Sequence, residues 1–314
     1  MTKTLGVVMD AIETINPYKD TTLLLLLAAQ ARGWEIMYMQ QHDLSLDNEN
    51  PVARMAKLTV KDQQTDWFSA EESKIRDLSD LNVILMRKDP PFDTEYIYTT
   101  YILEAAEKLG VMILNKPQSL RDCNEKIFAA SFPQCMPPLL ISSDAAQIKN
   151  FYREHRNIVL KPLDGMGGAS IFKVSENDLN LNVIIETLTC NGTKTIMAQK
   201  FIPEIQSGDK RILMIDGDPV PYCLARIPPK GDIRGNLAVG GTGVVRPLGK
   251  RDRWIANQVG PVLKTKGILF AGLDVIGDYL TEINITSPTC AREIDREKST
   301  DIGGKLLIAI EKNL

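Results

Sequence analysis

Short apolar runs alternate with longer helical patterns over the first third of the chain. The helical patterns stop at Gly33 and Gly110, and glycine commonly follows the end of a helix. Strand–helix–strand units of this kind place their strands parallel, because the helix packs back on the sheet. The pattern therefore predicts an α/β region built on a doubly wound parallel sheet. The predicted strands are Thr4–Met9, Trp34–Met39, Val83–Met86 and Val111–Leu114, and the predicted helices are Leu23–Ala31 and Thr94–Leu109.

The interior of this region is less regular. Residues 43–73 are polar and predict irregular chain, apart from a hairpin around Asp47–Asn50 with Leu58–Val60 as its returning strand.

Thr94 is the predicted N-cap of the second helix, since threonine is a favourable cap.

Arg87 and Asp89 follow the strand Val83–Met86 directly. In doubly wound sheets, ligands bind beyond the carboxyl ends of the strands. The two side chains could recognise a carboxylate and an amine of a substrate, or could form a salt bridge within the loop.

From Ser119 onwards helices and antiparallel strands mix, which predicts an α+β second half. The predicted helices are one that carries Lys126, then 144–155, 181–188, 252–266 and 302–312. The predicted strands are 158–160, 171–174, 195–201, 212–215, 221–227, 270–276 and 280–285, and residues 133–138 resemble a linker.

A glycine-rich hairpin is predicted over residues 158–174, with Gly165, Gly167 and Gly168 at its tip and Lys161 at its mouth. Bare backbone amides at such a tip can approach a phosphate, and Lys161 supplies a positive charge. We expect Lys161→Ala to weaken ATP binding and to change stability by no more than about 1 kcal/mol. The alternative is a floppy surface turn with an ordinary lysine beside it.

Residues 228–243 form a second glycine-rich segment, which we call the lid segment. It holds five glycines and few apolar residues that could anchor it. The segment could close over a bound ligand or could be a disordered insertion.

A candidate metal site lies near the C-terminus. Glu282 and Asn284 alternate along a predicted strand and therefore share one face, and their oxygen atoms suit Mg²⁺. Asp274 joins that face if a three-residue loop, Gly277–Tyr279, connects the strands, whereas a two-residue loop would turn Asp274 away. The alternative is a solvated polar face.

Composition narrows the class of protein. The 314 residues suggest two domains, and a net charge of −3 argues against a nucleic-acid partner. The longest apolar run, Leu23–Ala29, is too short to span a membrane, and no signal peptide is recognised. Five scattered cysteines fit reduced thiols, so we expect a cytoplasmic location. Only two histidines occur, which argues against a Ser-His-Asp hydrolase.

Taken in order, these motifs resemble those of the ATP-grasp ligases, and the chain is similar throughout to the bacterial glutathione synthetases. Four long runs carry the resemblance: Met86–Asp93, Asn115–Lys126, Lys161–Phe172 and Leu280–Cys290. The resemblance implies an N-terminal substrate-binding domain (1–122) followed by an ATP-grasp unit. That unit comprises a small subdomain with the glycine hairpin (123–202) and a C-terminal subdomain with the lid segment and the metal site (203–314).

Roles for individual residues follow from the same resemblance. ATP would be bound by Lys126, Lys161, Gly165, Gly167, Gly168, Gln199, Lys200, Phe201, Ile202, Asp209 and Lys210. The main chain of Lys200 and Ile202 would pair with the adenine, and Asp209 would lie near the ribose. Substrate would be bound by Arg87, Asp89, Arg234, Ser287 and Thr289. Arg211 and Arg226 would be catalytic, meeting the transferred phosphoryl group, and Asp274, Glu282 and Asn284 would hold Mg²⁺, or Mn²⁺ in its place.

The implied reaction joins γ-glutamylcysteine to glycine at the expense of ATP, through an acyl phosphate. The implied partners are these small molecules, with neither nucleic acid nor membrane, and the implied assembly is a homo-oligomer, namely a tetramer. Another ATP-grasp ligase and a non-catalytic ATP-binding scaffold are the alternatives. The chain departs from the expected pattern at Thr242, where an arginine is expected in the lid segment, and at Lys200 and Phe201, where asparagine and tyrosine are expected.

Overall fold

The computed structural model of the chain describes residues 2–165, 167–237 and 240–314. Within these residues the fold is mixed α/β with three sheets, of eight, four and five strands. The predicted combination of a parallel N-terminal sheet with antiparallel sheets further along the chain is confirmed. Met166 in the glycine hairpin and Ala238 and Val239 in the lid segment lie outside the described residues.

The N-terminal sheet has the strand order β3-β4-β2-β1-β7-β8, and β5 and β6 both pair with β4. Its strands are β1 (Thr4–Val8), β2 (Glu35–Met39), β3 (Leu44–Asp47), β4 (Asn50–Val60), β5 (Phe68–Ala70), β6 (Lys74–Asp77), β7 (Val83–Met86) and β8 (Met112–Leu114). Strand β1 pairs in parallel with β2 and β7, and β7 pairs in parallel with β8. The four predicted strands thus form the parallel centre. Strand β4 pairs antiparallel with β2, and β3, β5 and β6 pair antiparallel with β4.

Two helices belong to this sheet, α1 (Thr21–Ala31) and α2 (Thr94–Lys108). Aspartates cap both, because their carboxylates accept amide hydrogen bonds from the first turn. Asp20 accepts from the amide of Leu23, and Asp93 accepts from the amide of Tyr96. The prediction that Thr94 caps α2 is wrong by one residue.

The prediction of irregular chain over residues 43–73 is largely wrong. The hairpin is present, with Asn48 in the left-handed conformation (φ 55°) in its tight turn. Its second strand, β4, is eleven residues long and alternates between buried and more exposed positions. The high polar content of the region conceals this alternation, because the polar residues occupy the outward positions.

The middle of the chain forms a separate four-stranded sheet in the order β11-β10-β12-β9. Its strands are β9 (Leu139–Ser142), β10 (Ile158–Pro162), β11 (Phe172–Val174) and β12 (Ile196–Lys200). Its helices are α5 (Ala145–His155) and α6 (Leu181–Thr189), and two short helices precede it, α3 (Pro117–Asp122) and α4 (Glu125–Ala129). The predicted glycine hairpin is confirmed, since Ile158 pairs with Val174 and Leu160 with Phe172. Strand β9 was not predicted, because its four residues give too short a pattern.

The C-terminal sheet is antiparallel, in the order β15-β14-β13-β16-β17. Its strands are β13 (Asp209–Ile215), β14 (Asp218–Ile227), β15 (Thr242–Pro247), β16 (Phe270–Ile276) and β17 (Tyr279–Asn284), and its helices are α7 (Lys250–Thr265), α8 (Ala291–Lys298) and α9 (Ile302–Asn313). Neither β15 nor α8 was predicted. The lid segment therefore ends in strand, since Thr242 and Gly243 pair with Ile227 and Arg226.

Apolar side chains form three clusters within the described part of the chain. Two of them join the N-terminal sheet to the C-terminal sheet, and one of these also takes in Phe128 and Phe132. The third lies between the four-stranded sheet and its two helices and includes Ile158, Leu160 and Ile185. The predicted domain boundaries, 122/123 and 202/203, stay predictions. Among the described helices, none is long and apolar enough to cross a membrane.

Candidate functional site

A cavity of about 470 Å³ opens where the three sheets approach one another. The N-terminal region contributes Asn16, Lys19, Asp20 and the turn Asp89–Pro90 to its wall. The small sheet contributes β10, the glycine hairpin and the end of β12, and the C-terminal sheet contributes its polar face. A cleft between sheets, lined by charged residues and a few apolar ones, is a typical ligand site.

The structure brings almost all of the predicted site residues to this wall. Those that line the cavity are Asp89, Lys126, Lys161, Gly165, Gly167, Gly168, Gln199, Lys200, Phe201, Ile202, Asp209, Arg211, Arg226, Arg234, Asp274, Glu282, Asn284, Ser287 and Thr289. Two predicted residues, Lys210 and Arg87, are not on the wall.

Lys210 points to the opposite side of the sheet from the cavity. Successive side chains of a strand face opposite ways, so Asp209 and Arg211 face the cavity and Lys210 cannot. Its ammonium contacts Asp252 and donates to the carbonyl of Gly277 at 2.9 Å. The geometry therefore contradicts the predicted role of Lys210 in ATP binding and indicates a structural one.

Arg87 lies beneath the wall, where only 5% of its surface is exposed. Its Nε donates to Thr22 Oγ1 at 3.0 Å and its Nη2 to the carbonyl of Pro288 at 3.0 Å. Burial lowers the pKa of Arg87, although Asp20 and Asp89 oppose this shift. Since Pro288 lies between the wall residues Ser287 and Thr289, the guanidinium supports that backbone, and the geometry does not support direct contact with substrate.

The candidate metal residues come from the hairpin of β16 and β17. Asp274 lies opposite Glu282, and Asn284 lies two pairs further along, opposite Gly272. The connecting turn has only two residues, because Ile276 pairs with Tyr279. The prediction that a two-residue loop would turn Asp274 away is wrong, since a β-bulge leaves Thr281 without a partner and restores the shared face.

Two arginines from neighbouring strands hold Asp274. Arg211 donates through Nε to Oδ1 at 2.6 Å and through Nη2 to Oδ2 at 3.0 Å. Arg226 places Nη2 2.9 Å from Oδ2 and also contacts Asp209. Burial alone would raise the pKa of Asp274, but the two guanidiniums hold that pKa well below its usual range. This carboxylate is thus ionised in the free protein.

Two lysines face Glu282 from the other side of the cavity. Lys126 Nζ lies 3.7 Å from Glu282 Oε1, and Lys161 Nζ lies 3.6 Å from the same oxygen. Lys161 is 4% exposed, so it is not the surface residue that the mouth of a hairpin suggests. Burial lowers the pKa of Lys161, with Glu282 opposing the shift. The two ammonium groups are close enough to the same carboxylate to bind one polyanion together.

Glu125 is a wall residue that the sequence analysis missed. It contacts Lys126, and burial together with Glu282 raises its pKa to about 7, against the opposing effect of Lys126. The pKa of Asp209 is also raised to about 7, because burial outweighs its contact with Arg226. In the sequence, the only feature that could have indicated Glu125 as a site residue is its position directly before Lys126.

Gln199 and Phe201 form the end of the cavity at strand β12. Gln199 is 5% exposed, and Lys173 Nζ lies 4.2 Å from the centre of the Phe201 ring. The amide of Lys200 donates to the carbonyl of Pro138 at 2.9 Å, so adenine pairing at this residue would use its carbonyl oxygen.

The lid segment borders the cavity through residues 233–237. Arg234 forms an ion pair with Asp232, at 2.7 Å between Nη2 and Oδ2. A Cβ at Gly235 would collide with the carbonyl oxygen of Arg226, so this position requires glycine for a close approach to β14. The segment therefore lies directly beside Arg226, one of the two arginines that hold Asp274.

Asp274, Glu282 and Asn284 could hold a divalent ion. Carboxylate and amide oxygens are hard ligands that suit Mg²⁺ or Mn²⁺. No group of three His, Cys, Asp or Glu side chains with metal-binding geometry occurs in the described residues, so the third ligand would be the Asn284 amide. Asn284 Nδ2 lies 3.3 Å from Asp274 Oδ2, which places all three side chains on one face.

Further wall residues that were not predicted are Asn16, Lys19, Asp20, Thr286, Cys290 and Glu293. Asn16, Lys19 and Asp20 lie before α1. Cys290 and Glu293 lie at the start of α8, a helix that the sequence pattern did not reveal. Only the tertiary fold brings these segments to the cavity.

Two family models match the chain. The N-terminal domain of prokaryotic glutathione synthetase matches residues 4–121, and the ATP-grasp domain of prokaryotic glutathione synthetase matches residues 125–299. Glutathione synthetase from Pseudomonas syringae pv. tomato is 60% identical over 314 residues, covering 100% of this chain and 98% of the relative. Glutathione synthetase from Escherichia coli K12 is 57% identical over 310 residues, covering 99% of this chain and 98% of the relative.

Solved structures show the same architecture at lower identity. D-cycloserine synthetase DcsG superposes with a TM-score of 0.69 at 14% identity, covering 99% of each chain. The ATP-grasp ligase PsnB superposes with a TM-score of 0.64 at 16% identity, covering 99% of this chain and 100% of that one. At such identities the likeness shows the fold alone.

Proposed function

The chain belongs to the prokaryotic glutathione synthetase family of ATP-dependent ligases, and from this premise we propose that its cavity joins γ-glutamylcysteine to glycine. The observation that carries the proposal is that two lysines, two arginines and three hard-oxygen ligands line one cavity in a chain 60% identical to a named glutathione synthetase. Phosphoryl transfer depends on positioned positive charge more than on a nucleophilic side chain, which matches this set of residues.

Lys126 and Lys161 bind the phosphates of ATP in this proposal. Both ammonium groups lie within 4 Å of the same oxygen of Glu282, so their charges converge on one point of the cavity. Lys161 begins the approach to the glycine hairpin, whose amides can surround phosphate oxygens. The adenine then lies towards Gln199–Ile202 and the ribose towards Asp209.

The ligands for the divalent ion are Asp274, Glu282 and Asn284, with Mg²⁺ or Mn²⁺ as the ion. When bound, the ion would neutralise the charge of the ATP phosphates. In the free protein Arg211 and Arg226 neutralise Asp274 instead. Both guanidiniums are therefore close enough to meet the phosphoryl group as it is transferred.

The reaction has two steps. A carboxylate oxygen of the cysteinyl residue attacks the γ-phosphorus of ATP, and the bond to ADP breaks. The free amine of glycine then attacks the acyl carbon, inorganic phosphate leaves with the bonding electron pair, and the amine loses a proton. The acyl phosphate must be kept from water, which is the role of the lid segment.

The assembly and the cellular location are also proposed. We infer a homo-oligomer, a tetramer as in the family resemblance, and a cytoplasmic enzyme. The described cysteines are all free, which fits a reducing compartment. Light scattering on the purified protein measures the mass directly, and a monomer would contradict the tetramer.

ADP release in four mixtures tests the proposed function. The mixtures contain ATP and Mg²⁺ with γ-glutamylcysteine, with glycine, with both, or with neither. We expect sustained release only with both, and one tripeptide formed for each ADP. ADP release that does not depend on the dipeptide, or a preference for another pair of amino acid substrates, would point to a different ligase. Absence of turnover in all mixtures would point to a scaffold.

A further inference from the structure

The starts of two helices meet at the end of the cavity that the N-terminal region forms. The amide of Ala291, at the start of α8, donates to Thr21 Oγ1 at the start of α1, at 3.2 Å. This contact brings Asp20 and Glu293 to the same corner, and both side chains line the cavity. The corner therefore presents two carboxylates that come from the two halves of the chain.

Glu293 forms no ion pair within 4 Å in the described part of the chain, although Lys19 on the same cavity wall lowers its pKa from a longer distance. Its Oε2 is fully buried and has no hydrogen-bond partner among the described residues. The neighbouring arginines are committed elsewhere, since Arg292 contacts Asp62 and Arg296 donates to the carbonyl of Tyr18 at 2.8 Å. A buried carboxylate without a partner is costly, so the position calls for a donor from a ligand.

Asp20 is in a similar position. Its Oδ1 accepts the amide of Leu23 at 2.6 Å, as an N-cap does. The buried guanidinium of Arg87 donates to Thr22 and to the carbonyl of Pro288, and Asp20 has no ion pair within 4 Å in the described structure. Burial raises the pKa of Asp20 and that of Glu293, and it outweighs the opposing charge of Arg87 on Asp20 and of Lys19 on Glu293.

Of the three substrates, one has a cationic group that suits this corner. ATP is a polyanion and is repelled by two carboxylates. The nitrogen of glycine must be a free amine at the acyl carbon, beside Arg211 and Arg226. The γ-glutamyl residue carries an α-ammonium group several bonds from the reacting carboxylate, and an ammonium has three donors that two carboxylates can accept.

We infer that Glu293 and Asp20 bind the α-ammonium group of the γ-glutamyl residue and so select the acid substrate. This inference rests on the proposed function and adds two specificity-determining residues to it. A charge-assisted pair of this kind is made in the ground state and in the transition state alike, so its loss raises KM and leaves kcat almost unchanged.

The test compares γ-glutamylcysteine with glutarylcysteine, which has hydrogen in place of the ammonium group. For Glu293→Gln we expect kcat/KM with γ-glutamylcysteine to fall about 10- to 100-fold, through KM, and kcat/KM with glutarylcysteine to stay within about 2-fold. Asp20→Asn should act in the same direction, because asparagine keeps the helix cap and removes only the charge. Glu297→Gln, at an exposed position of the same helix, is the matched control and should change neither substrate.

The outcomes separate the inference from the function on which it rests. Equal losses with both acids would show a structural role for Glu293 and overturn the inference, as would an increase in the KM for glycine alone. A wild-type enzyme that uses the two acids equally well would also overturn it, while leaving the proposed function in place. A wild-type enzyme that does not ligate γ-glutamylcysteine at all would overturn both.

Discussion

Four cationic side chains and four carboxylates face one another around the centre of the cavity. The cations are Lys126, Lys161, Arg211 and Arg226, and the carboxylates are Glu125, Asp209, Asp274 and Glu282. Each cation has a carboxylate partner, and burial raises the pKa of two of these carboxylates, Glu125 and Asp209, to about 7. Nucleotide and metal would have to replace these internal partners, because phosphates compete for the cations and the metal ion competes for the carboxylates.

Glu282 is the residue at which both exchanges would occur. Replacing it by glutamine keeps the shape and removes the charge that Lys126 and Lys161 share. We expect Glu282→Gln to fold normally and to lose roughly 10²-fold or more in kcat, the scale for removing a group that stabilises developing charge. Steady-state kinetics over a range of Mg²⁺ concentrations measures the loss.

Asp278→Asn is the control for this variant, since Asp278 is exposed in the turn of the same hairpin. It should keep the wild-type kcat. Near-normal turnover of Glu282→Gln at saturating Mg²⁺ would contradict the role of this residue.

The hairpin of β16 and β17 illustrates what sequence can and cannot predict at the scale of an element. Alternation along β17 correctly placed Glu282 and Asn284 on one face. The pairing of Asp274 depended on the loop length, and the bulge at Thr281 decided it. A bulge adds one residue without an obvious sequence signal, and here Thr281 donates to the carbonyl of Asp274 at 3.1 Å, a contact that only the folded hairpin provides.

Lys210 connects three elements, since its ammonium on β13 contacts Asp252 of α7 and the carbonyl of Gly277 in the hairpin turn. Lys210→Met would leave the mostly buried Asp252 without its cation. We expect the free energy of unfolding to fall by about 1–3 kcal/mol, the cost of an unsatisfied buried group, with unchanged affinity for ATP. Denaturant titration and calorimetry measure the two quantities.

Lys264→Met is the matched control, because Lys264 pairs with Asp216 and Asp218 at the surface with 47% of its side chain exposed. It should change stability by less than about 1 kcal/mol. If Lys210→Met weakens ATP binding and leaves stability unchanged, the structural role assigned to Lys210 is wrong.

The lid segment gives the second prediction at this scale. It has few apolar anchors, and Lys230 within it is exposed, so it should open readily in the free protein. We expect trypsin to cut after Lys230 or Arg234 early, and a non-hydrolysable ATP analogue with γ-glutamylcysteine to slow the cutting strongly. Mass spectrometry of the fragments over time identifies the site. Equal rates with and without ligands would show that the segment is no lid.

At the scale of the whole molecule, the sequence predicted those elements that a local pattern of residues specifies. The parallel strands, the glycine hairpin and most helices came from periodicity and turn residues, and family resemblance joined the distant motifs into one site. Strands β5, β6, β9 and β15 and helix α8 were missed, because they are short or lie beside glycine-rich chain. Asp20 and Glu293 were missed for a different reason, since only the packing of α1 against α8 brings them to the cavity.

The distribution of the cores also appears only at this scale. The apolar clusters of the N-terminal and C-terminal sheets are continuous, whereas the small sheet has its own cluster around Ile158 and Ile185. The cavity lies between the continuous part and the small sheet. Residues from the small sheet and from the other two sheets must therefore contact the same nucleotide. Nucleotide binding thus depends on the folding of all three sheets.

The central claim is that this cavity activates the cysteinyl carboxylate of γ-glutamylcysteine by phosphorylation. The most direct measurement uses dipeptide labelled with ¹⁸O in both oxygens of that carboxylate, together with ATP, Mg²⁺ and glycine. Mass spectrometry should find one ¹⁸O in each inorganic phosphate released and one in the new amide carbonyl of the tripeptide. Tripeptide formed together with unlabelled phosphate would contradict the account.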